Sequence, residues 1–398
     1  MAEKPSRVPE ARRFNPLTAV LLILPLLLLG AVIVLFVTTG GGLDLTAPAP
    51  VEDLTVERTV LEPGSIEVIL RNAGPEELTI AQVIVNDGVR PMTVSPSATI
   101  PRLGKATLHL DYGWVEGEAY AIKIFTTNAI PFEVEIPVAF TTPQPTAATF
   151  LSFTLIGIYV GIIPVYLGIL WFPVLRQLDR RWMTFLMAVT AGLLIFLGLD
   201  ALAEALKLVA TVPGPFQGIG LVGIGVVGTF GLLDAITRRQ VAGGTSQGSQ
   251  RLNLAFMIAV GIGLHNLGEG LAIGAAFNVG EIALGTFLVV GFIIQNITEG
   301  LAIVAPIVRQ RPTIRQLVLL GLIGGAPAVI GSWIGGFAPS PTLAVLFLAI
   351  GAGAIFEVVY EIAKLIQKDT AKRPMPVTVF SGIMTGMLLL WFTGLLIK

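Results

Sequence analysis

From Phe150 to the carboxyl end the chain carries eight apolar runs, at roughly 150–174, 183–206, 215–237, 253–278, 281–307, 315–337, 342–364 and 376–397. About 20 apolar residues cross a bilayer as a helix. Inside lipid a segment must satisfy its own backbone N–H and C=O groups, so such runs fold as helices. A further run, Leu17–Val37, follows a polar start holding Lys4, Arg7, Arg12 and Arg13. A signal peptide has an apolar region of only about 7–15 residues, so this run reads as an uncleaved anchor. The expectation is a basic tail over 1–14 and a transmembrane anchor over 15–38. Composition agrees: 54% of residues are hydrophobic and 13% charged, against roughly 25% charged in soluble domains.

Residues 42–145 obey a different pattern. Pro and Gly separate short alternating runs: SIEVIL (65–70), LTIAQVIV (78–85), ATLHLDY (106–112), YAIKIFT (120–126) and FEVEIPVAF (132–140). Alternation punctuated by turns predicts a small all-β sandwich. RNAGPEELTI (71–80) resembles a strand-turn-strand of immunoglobulin-like, cell-adhesion-type domains. His109 alternates with Leu108 and Leu110, which points it to solvent rather than to a metal. TTPQPTAAT (141–149) reads as a linker to the helical part, 150–398.

Lys and Arg set an expected topology, because cytoplasmic loops carry their excess. Arg176, Arg180 and Arg181 follow the first of the eight runs. Arg238, Arg239 and Arg251 flank the loop after the third, which includes the flexible stretch GGTSQGSQ (243–250). Arg309, Arg311 and Arg315 follow the fifth, and Lys364, Lys368, Lys372 and Arg373 the seventh. The alternate loops hold only Lys207. The amino terminus is therefore expected in the cytoplasm, with the β domain and the carboxyl end outside a plasma membrane.

The runs also contain Asp200, Glu204, Asp234, Glu269, Glu299, Glu357 and Glu361, with Lys or Arg only at their ends. A carboxylate at bilayer depth requires compensation. Arg238 suits Asp234, Lys207 suits Glu204, and Glu281 stands at a helix start, where the dipole favours an acid. Glu269 and Glu299 have no such neighbour. They belong to a repeated motif: HNLGEGLAIGA (265–275) returns as QNITEGLAIVA (295–305). Consecutive spans run antiparallel, so the two motifs meet at one depth. Positions i and i+4 share a helix face, which sets His265 beside Glu269 and Gln295 beside Glu299, flanked by Asn266 and Asn296. Gly268, Gly270, Gly300 and Ala302 are expected to let these two helices approach closely. One imidazole, two carboxylates and several amides suit a divalent cation such as Zn²⁺, Fe²⁺ or Mn²⁺. Ca²⁺ and Mg²⁺ prefer oxygen alone. The sequence holds no cysteine and two histidines, so a thiolate or His-rich cage is excluded; the net charge of −1 gives no case for nucleic acid.

At these residues the chain resembles the ZIP (zinc/iron-regulated transporter-like) family, in its prokaryotic GufA-like branch. That family carries His-Asn-x-x-Asp/Glu-Gly in its fourth core helix, here HNLGEG. This branch carries Gln-Asn/Asp-x-x-Glu-Gly in the fifth, here QNITEG. GLLIFLGLDALAEAL (192–206) and GAGAIFEVVYEIAKL (351–365) resemble the second and seventh core helices. The resemblance covers about 150–398 and leaves the anchor and β domain outside it. It implies an eight-helix transporter bundle working by alternating access, and a primary site of His265, Glu269, Gln295 and Glu299. Asn266 and Asn296 would belong to a neighbouring second site sharing both glutamates. Three positions depart from the pattern. Ala326-Pro327 stands where the sixth helix commonly has Glu-Pro, so one principal ion is expected. Leu194 stands where the second helix often has Met, and Thr298 where Pro often precedes Glu.

The expected protein is thus a multi-pass α-helical carrier importing Zn²⁺, or Fe²⁺ or Mn²⁺, as cargo, with no cofactor. Asp200, Glu204, Glu357 and Glu361 are expected gate or relay carboxylates. Proton-assisted release from Glu269 or Glu299 predicts uptake that varies with pH. The expected partners are the metal ion and the lipid bilayer, with a homodimer left open and an envelope partner of the β domain unidentified. An enzyme is not expected: HNLGE is not His-Glu-x-x-His, and no second histidine completes a hydrolytic zinc site. The alternative is a non-transporting membrane metal sensor or receptor whose outer β domain binds a partner.

Overall fold

The structure, a computed structural model, describes residues 16–39, 51–177, 179–242 and 247–395. The basic tail expected at 1–14 lies outside the described residues. The first helix, α1 (Pro16–Thr39), runs unbroken through Pro25 and forms a compact unit of its own.

Nine strands follow: β1 (Leu54–Glu62), β2 (Ser65–Asn72), β3 (Leu78–Val85), β4 (Gly88–Arg90), β5 (Thr93–Ser95), β6 (Thr99–Ile100), β7 (Lys105–Asp111), β8 (Tyr120–Thr126) and β9 (Pro131–Ile136). One antiparallel sheet has the order β1-β2-β7-β5; the other has β4-β3-β8-β9, with β6 also on β3. Alternation decides which faces meet. Ile66, Val68 and Leu70 of β2 oppose Leu110, Leu108 and Ala106 of β7. These pack with Val83 and Val85 of β3 and with Ile122 and Ile124 of β8 in a single core. The strand-turn-strand singled out in the sequence is pinned by buried Asn72, whose amide donates to Glu76 O and Ile100 O at 2.7 and 2.9 Å. Asn86 and Asp87, both at positive φ, make the tight β3–β4 turn, a type I′ arrangement matched to sheet twist. His109 lies between strands with its side chain partly exposed, bonded to Glu67 and Ser95 at 2.9 Å each.

Seven helices among the described residues are long and apolar enough to cross a membrane. They are α2 (Ala147–Leu175), α3 (Arg180–Leu208), α4 (Gly218–Ala242), α5 (Gln247–Asn278), α6 (Ile282–Val304), α7 (Ile314–Phe337) and α8 (Pro341–Thr370). The last helix, α9 (Pro376–Leu395), is apolar over the shorter stretch Pro376–Phe392. Large aliphatic side chains on the outer surface, such as Ile219 and Ile224 on α4 at 72% exposure, suit lipid and would form a costly patch in water. The stretch 243–250, expected to be a flexible linker, is helical from Gln247; residues 243–246 lie outside the described residues.

The helices sort into two groups of four. In the first, α5 packs on α6 and α7, and α2 packs on α6 and α7. In the second, α3 packs on α8 and α9, and α8 also packs on α4. The main seam between the groups is α5 against α8. The motif glycines correct one expectation. Gly270 lies against Ala328 O of α7, and Gly300 against Val165 O of α2, so closely that a methyl group at either would collide. Gly268 faces Leu348 of α8. These small residues therefore seat α5 and α6 on other helices rather than on each other.

The β domain docks on the end of the bundle opposite the Lys/Arg loops. Arg58 donates from Nη1 to Phe337 O at 2.8 Å, Arg71 stacks 5.3 Å from the centre of the Phe216 ring, and Phe140 lies against Gly280. Burial lowers the pKa of the Arg58 guanidinium from its ordinary value. The 141–149 linker is tied down rather than free: Thr142 exchanges two hydrogen bonds with Leu61, both 2.9 Å.

Candidate metal centre

α5 and α6 bring both halves of the repeated motif together in the first helix group. His265, Asn266, Glu269, Asn296 and Glu299 are all buried, and Gln295 is half-buried between them. One ligand atom each from His265, Glu269 and Glu299 lies within 4.8 Å of the other two, and this is the sole such three-residue group among the described residues. A divalent ion bonds its ligands at about 2.0–2.3 Å, so donors this far apart can share one with small side-chain rotations.

The hydrogen bonds separate the two carboxylates. Glu269 is fully engaged. Its Oε1 accepts from Gln295 Nε2 at 2.9 Å and faces His265 Nε2 at 3.2 Å; its Oε2 accepts from Asn296 Nδ2 at 3.0 Å. Glu299 is nearly bare. Gln295 reaches its Oε1 at only 3.4 Å, and its Oε2 has no partner among the described residues. Gln295 Nε2 also sits 3.4 Å from His265 Nε2. An amide nitrogen carries two protons, so three acceptors cannot all be served.

The two asparagines are held with their oxygens free. Asn266 Nδ2 donates to Gly324 O of α7 at 3.0 Å, and Asn296 Nδ2 to Val160 O of α2 at 2.9 Å. In each, Oδ1 is buried without a donor. Such atoms normally cost free energy unless something supplies positive charge or a proton. Asn266 Oδ1, Asn296 Oδ1 and Glu299 Oε2 are thus three buried oxygens in need of a cation or a donor. His265 Nδ1 is also without a partner.

The backbone groups that orient the asparagines could not be picked out by side-chain reading. Val160 lies in a π-helical turn, Ile158–Ile162, inside α2. Pro164 follows four residues later with no N–H to return to that carbonyl, which leaves it open to Asn296. Gly324 stands just before the break at Ala326-Pro327. Pro164 was the available sequence signal for Val160, since proline inside a helix frees the carbonyl four residues before it and π-turns gather at functional sites.

The four expected gate or relay carboxylates fall outside this cluster. Asp200 is exposed. Glu204 pairs with Lys207 at 3.1 Å and Glu361 with Lys364 at 2.6 Å. Glu357 is fully buried in the second helix group, where Thr237 Oγ1 donates to it at 3.1 Å. Asp234 pairs with Arg238 at 2.7 Å, as the sequence suggested. Leu194 is buried in apolar packing.

The two ends of the helical part differ. Beneath the β domain lies a cavity of about 690 Å³ that reaches Gly268, the neighbour of Glu269; Arg58, Glu57, Glu204 and Asn278 are among its polar lining. At the opposite end Arg251 and Asp369 form a 2.6 Å ion pair across the α5–α8 seam. No family model matches this chain, and no curated protein matches it.

Proposed function

We propose that this chain is a ZIP-family carrier that moves Zn²⁺, or a chemically similar divalent ion such as Fe²⁺ or Mn²⁺, into the cytoplasm. In this reading α2–α9 are eight membrane spans, α1 is a further anchor, and the immunoglobulin-like β domain stands outside. The Lys/Arg loops face the cytoplasm. The observation that carries the proposal is the buried group His265–Glu269–Glu299, with donor-less buried oxygens on Glu299, Asn266 and Asn296 and, among the described residues, no Lys or Arg bonded to it. The paired motif HNLGEG/QNITEG supports the family.

In a loaded site the two carboxylates cancel the 2+ charge and His265 supplies nitrogen. Gln295, which turns Nε2 inward in this arrangement, would turn its Oε1 to the ion. Ligands without thiolate hold a divalent ion less permanently, which suits loading and release. The cavity under the β domain supports an access path from that side.

The test is metal uptake into liposomes holding the purified full chain, with Mn²⁺, Fe²⁺ and Cd²⁺ as competitors of Zn²⁺. Saturable uptake is expected in the wild type and only background uptake in the Glu269→Ala/Glu299→Ala variant. Metal binding without flux in the wild type would overturn transport in favour of a sensor or receptor.

A further inference from the structure

The end of the bundle that bears the Lys/Arg loops holds a second cavity, of about 240 Å³, lined by none of the residues of the His265 cluster. Arg180 of α3, Arg251 of α5 and Arg309 beyond α6 line it, and Asp369 of α8 is the one acid among its lining residues. Asp369 is already engaged: its Oδ2 accepts from Arg251, and its backbone carbonyl from Arg180. Arg309 makes no hydrogen bond or ion pair among the described residues, although it lines the same space. Three guanidinium groups against one carboxylate leave the cavity with an excess of two positive charges. Met183, Met187 and Leu365 form its apolar wall.

We propose that this cavity binds a phosphate-bearing anion, with Arg309 and the free N–H groups of Arg180 and Arg251 as its donors. The chemistry is specific. Guanidinium presents paired N–H groups that match two phosphate oxygens, and three of them at different angles suit the several oxygens of a tetrahedral phosphate. The volume exceeds several waters at about 30 Å³ each, which is room for a phosphate group. Basic pockets between helices at a membrane surface are where anionic headgroups lodge. The shared ligand chemistry is a phosphate mono- or diester, supplied either by an anionic phospholipid or by a soluble phosphate. Because its lining comes from both helix groups, a bound phosphate would bridge the seam closed by Arg251 and Asp369. This inference does not depend on the metal reading.

The experiment uses the purified full chain in nanodiscs of phosphatidylcholine with and without phosphatidylglycerol, and in detergent titrated with inorganic phosphate. Bound phospholipid is read by native mass spectrometry and phosphate binding by calorimetry. The variants are Arg309→Ala, Arg309→Lys and, as a control outside the cavity, Arg311→Ala. Arg309 has no structural partner among the described residues, so its variants test the ligand rather than the fold. The expected result is saturable binding of one probe, weakened by about tenfold or more in Arg309→Ala, as for loss of a charge-assisted bond, less so in Arg309→Lys, and unchanged in Arg311→Ala. Retention of phosphatidylglycerol that inorganic phosphate does not displace identifies the headgroup; binding of inorganic phosphate alone identifies the soluble ligand. Binding of neither probe, or equal binding by wild type and Arg309→Ala, overturns the proposal.

Discussion

Glu299 and Glu357 are both buried acids with one oxygen bare of partners, one in each group of helices. Their surroundings differ. Glu357 meets a threonine hydroxyl across the α4–α8 contact; the nearby acids Asp234 and Glu361 are each held in their own ion pair, and among the described residues no three-residue cluster with an imidazole forms around it. Glu299 shares its space with Glu269 and His265, and the flanking Asn266 and Asn296 each keep a buried Oδ1 with no donor among the described residues. A single buried carboxyl can be neutralised by a proton and held by one hydrogen bond. Several acceptors converging from two helices repel one another and select a cation. The lesson is that two buried acids sharing an imidazole mark this centre, whereas burial of an acid alone does not.

The comparison can be broken from either side. After the double glutamate variant, the largest effect is expected from Asn296→Ala. It removes both the bond that orients Glu269 and a free oxygen, and should weaken metal affinity by about 10–100-fold, as loss of an orienting partner does; isothermal titration with Zn²⁺ measures it. An unchanged affinity would mean that Asn296 serves only the α2–α6 contact through Val160. Glu357→Gln should sharpen the contrast. The amide can keep the Thr237 bond, and uptake should stay within about twofold of wild type, as for an independent site. A fall as large as that of Asn296→Ala would place Glu357 on the ion path and restore its reading as a relay.

Two smaller effects concern the β domain. Arg58→Ala removes the bond to Phe337 O, a charged donor worth about 1.5–3 kcal/mol when well formed. Faster proteolysis around residues 141–149 with an unchanged β-domain melting temperature is the expected sign of undocking. Equal cleavage of wild type and variant would show that Phe140 and Phe216 suffice. The smallest effect is at Glu57. Its carboxyl loses solvent on burial, which alone would raise its pKa, yet the bonds from Lys105 and Arg71 hold it below the ordinary value of 4.5. A folded value below the unfolded one stabilises the domain above about pH 4.5, and that contribution drains away as pH falls through the lower folded value. Glu57→Gln should flatten this acid limb. The change should stay under about 1 kcal/mol, because the group is partly exposed and solvent screens it; circular dichroism melts between pH 3 and 6, roughly the carboxylate range, would read it.

Much of this was legible in sequence. Apolar length alone predicted the helical runs, because lipid leaves the backbone no other local solution, and the helices begin and end close to the expected limits. Alternation predicted the strands for a similar reason: a two-residue period can bury only one face. The repeated motif identified His265, Glu269, Gln295 and Glu299 as neighbours, since i, i+4 spacing and antiparallel succession are geometric consequences of the helix. Other features required the folded chain. Which glycine meets which helix depends on how eight helices sort into two groups, and no local pattern encodes that. The orientation of Asn266 and Asn296 is decided by carbonyls of α7 and α2, far away in sequence. The convergence of Arg180, Arg251 and Arg309 around Asp369 is a property of four separate chain segments. Local periodicity is written in neighbouring residues and can be read from them, whereas partners across a seam are chosen by packing, which only the tertiary structure decides.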